Sequence, residues 1–109
     1  MNTKIINLEE YRTPKAKVFS GRPRGKEVRE KSGIDELVNK FDKIEIIIPD
    51  DIYAINPSFL EEFLLNVVTM LKEEDFYKKF DFSSKGEYEI ADDLQEAVSR
   101  ILKKYNALA

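Results

Sequence analysis

A run of β-branched apolar residues in the middle of the chain restricts the fold more than any other feature. Residues 44–48 read Ile-Glu-Ile-Ile-Ile, and Pro49, Asp50 and Asp51 follow at once. Central strands of parallel sheets are buried on both faces and are therefore almost continuously apolar. We expect a central strand over 44–48 that is covered on both faces and ends at Pro49.

A long amphipathic helix is predicted after this strand. Asn56 is suited to cap it, and Pro57 suits its first position, where a fixed φ helps and the missing N–H is not needed. The pattern extends to about Lys72, and Glu61 and Glu62 fall near the positive end of the helix dipole. A wide apolar stripe should pack on the sheet: Phe59, Leu60, Phe63, Leu64, Val67, Val68 and Leu71.

Other strands and helices flank this unit. Residues 3–8, 16–20 and 80–83 are predicted strands, whereas Ser20–Gly25 is predicted to be a tight loop. Opposite charges four residues apart over 26–31 are typical of an exposed helix. A second short helix has Ser32 as its N-cap and buries Ile34, Leu37, Val38 and Phe41. A terminal helix begins at Asp92, with Gln95 in the capping-box position and a face of Leu94, Ala97, Val98, Ile101, Leu102 and Tyr105.

Strands that alternate with helices indicate an α/β fold, a small sheet with crossover helices. We expect a mixed sheet, because the two N-terminal strands lie close together in sequence. The chain has 109 residues, of which 42% are apolar, which suits one domain. Residues 1–15 are predicted to form an N-terminal strand and polar segment, in a single compact unit with the main domain at 16–109.

The chain contains no Cys, no His and no Trp. It therefore lacks disulfides, thiolate and imidazole metal ligands, and the commonest general base near neutral pH. No Gly-x-Ser-x-Gly elbow is present either, so we expect a protein that is not an enzyme and has no metal or other cofactor. The N-terminus resembles neither a signal peptide nor a membrane span, which predicts a cytoplasmic protein without membrane contact.

Positive charge is concentrated near the N-terminus. The net charge is −3, yet residues 12–31 hold eight Lys or Arg against two Glu. Within this segment Gly21, Arg22, Arg24, Gly25 and Lys26 are candidate anion-binding residues, because glycines let backbone amides approach an anion. A nucleotide, a nucleic-acid phosphate or a partner's carboxylates would suit them. The spacing is not that of a P-loop, and the two glycines are equally compatible with a plain turn.

Residues 53–60 form the junction between a strand end and a helix start, which is the sharpest local feature of the sequence. Ser58 falls in the first helical turn, where unpaired N–H groups and the helix dipole favour a phosphate on its hydroxyl. Ser58 is therefore a candidate phosphorylation site. The alternative interpretation is that Asn56 is an ordinary cap and Ser58 an ordinary first-turn residue.

The segment Ile55-Asn56-Pro57-Ser58-Phe59-Leu60 after the strand resembles the STAS domain of anti-sigma-factor antagonists, which carries Asp-Ser-Ser-Gly-Leu at this place. A closer resemblance is to the STAS-like family of unknown function, which pairs a Phe-Ser-Gly-Arg-x-x-Gly segment with a Ser-Phe-Leu helix start. Here these motifs are residues 19–25 and 58–60, and the likeness covers residues 16–105. Asn56, Pro57 and Phe59 depart from the antagonist signature.

The resemblance implies a STAS-like fold and a protein partner, a GHKL-type ATPase or kinase in a partner-switching system. Ser58 matches the serine that partner kinases phosphorylate. Docking is then expected around the first helical turn, through Asn56, Pro57 and Ser58, with Glu61 and Glu62 on the exposed side of the helix.

Two further interpretations remain open at this stage. The basic segment Arg12–Lys31 has the charge to follow nucleic-acid phosphates, although the sequence pI near 5.1 and the lack of a recognisable reading helix favour protein docking. An exposed edge strand would also allow the chain to pair with a second copy of itself and form a homo-oligomer.

Overall fold

The computed structural model describes residues 2–108, with side chains as far as Tyr105, so the ends of the two predicted segments, Met1 and Ala109, lie outside the described residues. Within this range no helix is long and apolar enough to cross a bilayer. The elements in chain order are β1 (Thr3–Asn7), a 3-10 helix (Leu8–Tyr11), β2 (Val18–Phe19), α1 (Arg22–Ser32), α2 (Ile34–Leu37), β3 (Lys43–Ile48), β4 (Ala54–Ile55), α3 (Pro57–Phe63), α4 (Leu65–Lys79), β5 (Phe80–Ser84) and α5 (Ala91–Leu108).

The chain has an α/β fold, as predicted, but its sheets are parallel and not mixed. One sheet has the strand order β1-β3-β5, and the other consists of β2 and β4. Every pairing among the described strands is parallel. The two N-terminal strands do not pair with each other, because each pairs with a strand that follows a crossover connection. Their closeness in sequence was therefore a misleading guide to strand direction.

The central strand β3 is confirmed, but only one of its faces is fully covered. Ile44, Ile46 and Ile48 are completely buried, whereas the residues between them are half-buried. The second face carries polar pairs with β5: Lys43 Nζ lies 3.2 Å from Asp81 Oδ2, and Glu45 accepts a hydrogen bond from Ser83. These pairs tolerate partial solvent exposure, which the apolar run did not predict.

The helix predicted to run to Lys72 is interrupted. α3 ends at Phe63, Leu64 leaves helical geometry (φ −100°, ψ 4°), and α4 continues to Lys79. Lys72, the predicted end, does adopt a non-helical conformation within α4 (φ 66°, ψ 177°). The stripe itself is confirmed, because its residues from Phe59 to Val68 are buried in the core and Leu71 packs against it.

The predicted tight loop over residues 20–25 is wrong beyond Gly21. α1 begins at Arg22, with Pro23 in its first turn, and Gly21 precedes it with φ 90°. Ser32 is the last residue of α1 and not the N-cap of the next helix. That position belongs to Gly33, whose left-handed conformation (φ 69°) ends α1 and starts α2. Ile34 and Val38 are buried, as predicted.

Gly25 allows α1 to lie unusually close to α3. A Cβ atom at this buried position would overlap the Phe59 carbonyl oxygen and would lie 2.9 Å from Glu62 Cβ. Phe59 in turn packs against Phe19 of β2, with ring centroids 5.2 Å apart. The glycine therefore serves helix packing, and it fixes the position of α1 relative to the first turns of α3.

The terminal helix α5 packs on the other side of α3 and α4. Its predicted inner face is confirmed at Leu94, Ala97, Val98 and Ile101, which are all buried. Tyr105 is 40% exposed instead of buried, and its ring lies 3.6 Å from Lys72 Nζ, a cation–π contact. The short helix α3 is therefore contacted by both α1 and α5.

Candidate docking site and basic cleft

The junction at the start of α3 brings three predicted partner-binding residues together. Asn56 is exposed, and its extended backbone (φ −73°, ψ 144°) is that of an N-cap. Its side chain makes no capping hydrogen bond, however, whereas its backbone N–H donates to the Phe19 carbonyl at 2.9 Å. Pro57 and Ser58 are half-buried in the first turn. The backbone is thus fixed while the Asn56 amide stays available to a partner.

Tyr53 lies four residues before Pro57, at the start of the same junction. It is 69% exposed, more than any other large apolar side chain among the described residues. Its backbone N–H donates to the Lys17 carbonyl at 3.0 Å, so the residue is anchored to the segment before β2. We name Tyr53, Asn56, Pro57 and Ser58 the docking surface. The sequence predicted a site at this junction, but no feature of the sequence predicted that the side chain of Tyr53 would be exposed to solvent.

The prediction that Glu61 and Glu62 lie on the exposed side of the helix is wrong. Glu61 is 3% exposed, and the side chain of Glu62 is 24% exposed. α1 and α5 pack against α3 and cover the part of the helix that carries these two residues. Glu62 lies 3.6 Å from the guanidinium of Arg29. Glu61 is therefore buried and Glu62 is only partly exposed, and both are paired with cations of other helices, so neither extends the docking surface.

Glu61 is held by three cations from two other helices. Arg22 Nη2 donates to its Oε1 at 3.1 Å, and Arg100 Nη1 donates to its Oε2 at 3.1 Å. Lys104 Nζ lies 3.8 Å from Oε1. A carboxylate removed from water needs such partners, because its desolvation is otherwise strongly unfavourable. The hydrogen bond that Arg100 donates to Glu61 in turn raises the pKa of Arg100 above its ordinary value.

An open cleft of 490 Å³ surrounds this carboxylate, and we name it the basic cleft. The guanidinium groups of Arg22 and Arg100 are about half exposed, so they contact Glu61 and solvent at once. The cleft is lined by Arg22 from α1, Glu61 from α3, and Arg100, Lys103 and Lys104 from α5. Four cations therefore face one carboxylate.

Sequence reasoning found Arg22 but missed the cations of the terminal helix. Arg100, Lys103 and Lys104 have the spacing i, i+3, i+4, which places them together on one helix face. That spacing could have been used to predict a positively charged face on the terminal helix. The sequence could not show that this face of α5 lies beside Arg22, because the two segments are far apart in the chain and are brought together as both pack on α3.

The predicted anion-binding residues do not form one site. Gly25 is buried within α1, and the cationic side chains of this segment bond to different residues. Arg24 bonds Glu27, and Arg22 bonds Glu61. Lys26 is exposed, with no ion pair within the described residues. Arg22 lines an open cleft beside Glu61, whereas Arg24 lines a different cleft together with Arg12 and Lys31.

Most cations of the basic segment 12–31 have acidic partners within the chain. Arg12 makes a two-pronged contact with Asp51 at 2.5 and 2.8 Å. Lys15, Lys17 and Lys26 are exposed and have no ion pair among residues 2–105. The other pairs are Arg22–Glu61, Arg24–Glu27, Arg29–Glu62 and Lys31–Glu27. Nucleic-acid binding along this segment would therefore draw on three lysines and not on eight cations.

Tyr88 connects the loop between β5 and α5 to the end of β4, next to Asn56 of the docking surface. Its hydroxyl lies 2.6 Å from Asp93 Oδ2 and 3.2 Å from the Ile55 carbonyl oxygen. Burial, followed by the hydrogen bond to Asp93, raises the pKa of Tyr88 well above its ordinary value. The same loop and Tyr53 line a second cleft of 480 Å³ at the carboxyl ends of β3 and β5.

This shift in the pKa of Tyr88 predicts a loss of stability in alkali. A folded-state pKa above the ordinary value of about 10 contributes stability that is complete below about pH 10 and is lost as the pH rises further. Urea unfolding at pH 9 and pH 11 should show a larger loss for the wild type than for Tyr88→Phe. Equal losses would mean that ionisation of Tyr88 does not contribute to the alkaline loss of stability.

Comparison with known proteins found no matching protein family, no matching curated protein and no matching solved structure. The STAS-like fold remains a prediction. Any function must therefore be inferred from the docking surface and the basic cleft.

Proposed function

We propose that the protein is a non-enzymatic regulatory or adaptor module that binds a protein partner through the docking surface. The exposure of Tyr53, three residues before the uncapped amide of Asn56, carries this proposal. Tyrosine is enriched at protein interfaces, since its ring offers apolar area and its hydroxyl offers a hydrogen bond. The free amide adds a donor and an acceptor next to it.

The rigid backbone of the docking surface also favours binding. Tyr53 and Asn56 each donate a backbone hydrogen bond to β2 or to the residue just before it, at Lys17 and Phe19. Tyr88 supports the end of β4 from the other side. A surface that is ordered before binding loses less conformational entropy when a partner docks.

The resemblance of the sequence suggests the class of partner and a means of control. We propose a GHKL-type ATPase or kinase as the partner, with Ser58 as its candidate phosphorylation site. Ser58 precedes Glu61 by three residues, so the two side chains project from neighbouring positions of α3. A phosphate on Ser58 would add negative charge to the docking surface.

Affinity capture from the native cell extract tests this function. Bait proteins would be the wild type, Tyr53→Ala, Ser58→Asp and the control Tyr77→Ala, which removes a 40% exposed tyrosine from α4, outside the docking surface. We expect Tyr53→Ala to reduce the captured partner at least tenfold, as loss of a central aromatic contact does. We expect Ser58→Asp to reduce capture as well.

Mass spectrometry identifies the captured proteins and any phosphate on Ser58. Enrichment of one ATPase by the wild type and by Tyr77→Ala, but not by Tyr53→Ala, would support docking. Equal capture by all four baits would remove the docking surface from consideration. Recovery of nucleic acid alone would favour the basic segment instead.

A further inference from the structure

The basic cleft carries more positive charge than its buried carboxylate can neutralise. Arg22, Arg100, Lys103 and Lys104 face the single carboxylate of Glu61. Arg100 also bonds Glu96, which lies outside the cleft, at 2.9 Å. Even with Glu96 included, cations exceed carboxylates by two. Within the described residues nothing else neutralises this excess, so an anion that enters the cleft would be attracted to it.

The arrangement of these cations is fixed before any ligand arrives. Glu61 joins a guanidinium from α1 to one from α5, and the close packing at Gly25 holds α1 against α3. Arg22 uses one of its nitrogens for this bond, so its other N–H donors are not taken up by Glu61. An anion would therefore meet oriented donors and would not have to order them.

The charge and size of the cleft indicate which anion fits. A phosphate group at neutral pH carries about 1.5 to 2 negative charges, which matches the excess of two positive charges in the cleft. A single carboxylate would neutralise only half of that excess. Guanidinium groups bind phosphate oxygens through paired N–H donors. The cleft is open to solvent, and its volume of 490 Å³ leaves room for a phosphate group. We propose that the basic cleft binds a phosphate group of a small ligand, independently of the docking surface.

Lys103 offers the cleanest test of this site. It lines the cleft, it is exposed, and it makes no ion pair within the described residues, so Lys103→Gln should leave the fold unchanged. The matched control is Lys26→Gln, since Lys26 is also exposed and unpaired in the described part of the chain but lies outside the cleft. Isothermal titration at low salt would measure pyrophosphate, ATP and a short single-stranded oligonucleotide against each protein.

We expect the wild type and Lys26→Gln to bind pyrophosphate and ATP alike, and Lys103→Gln to bind them about tenfold more weakly, as expected for one lost charge-assisted hydrogen bond. No binding of either small phosphate by the wild type would overturn the proposal. Equal weakening by both variants would overturn it too, because the attraction would then be general. Binding of the oligonucleotide alone would replace it with nucleic-acid binding. No partner protein is present, so this result is independent of the docking test.

Discussion

A Glu61→Lys variant should lose at least about 3 kcal/mol of the free energy of unfolding, because it buries an unpaired charge. Glu61 is 3% exposed and lies between Arg22, Arg100 and Lys104. A lysine here would place an ammonium group among three cations with no carboxylate between them. The isosteric Glu61→Gln keeps the shape but weakens the bonds, and we expect it to lose about 1 to 3 kcal/mol.

The neighbouring Glu62 provides a matched control for this prediction. Its carboxylate is partly exposed and lies 3.6 Å from Arg29, so Glu62→Lys should be much less destabilising. Urea unfolding at neutral pH, followed by circular dichroism, measures all three variants. If Glu61→Lys and Glu62→Lys were equally stable, Glu61 would not be enclosed by α1 and α5.

Replacement of Gly25 by alanine should destabilise the protein by about 2 to 3 kcal/mol, in the upper part of the range for overpacked positions. The added methyl group would overlap the carbonyl oxygen of Phe59 and press on Glu62 Cβ. That carbonyl belongs to the backbone of α3 and cannot move as a flexible side chain would. The clash outweighs the higher helix propensity of alanine, which is worth about 1 kcal/mol.

Lys26→Ala is the control for the Gly25 variant, because it changes the next residue of α1 on an exposed side. Its unfolding temperature should stay near that of the wild type. Gly25→Ala should melt about 10 to 20 °C lower. It should also bind pyrophosphate more weakly, because a shift of α1 moves Arg22 away from Glu61. An unchanged melting temperature would mean that α1 and α3 are not in close contact at Gly25.

Strands and helices could be predicted where the hydrophobic pattern of a single segment is enough to identify the element. The apolar run of β3 and the regular stripe of α5 are local patterns, and both elements are present. The break at Leu64 could not be predicted, since no Gly or Pro marks it and the apolar stripe continues across it. The parallel direction of β1 and β2 depends on partners that lie far along the chain.

In the candidate site, too, the features set by neighbouring residues could be predicted, whereas those set by the packing of distant segments could not. Asn56 before Pro57 is a local signal, and the helix begins where it predicts. Glu61 occupies a position that looks polar and exposed in the sequence, and only the packing of α1 and α5 on α3 buries it. A single sequence shows which residues share a helix face but not which other helix covers that face.

The parallel pairing of the strands has a consequence for how the chain folds as it is synthesised. Thr3 pairs with Lys43, Val18 with Ala54, and Ile44 with Phe80. Among the described strands none pairs with the strand that precedes it, so each of these ladders must close a long loop first. During translation β1 has no partner until β3 has left the ribosome, and the larger sheet is completed only by β5. Helices can form early, but the sheets must assemble late.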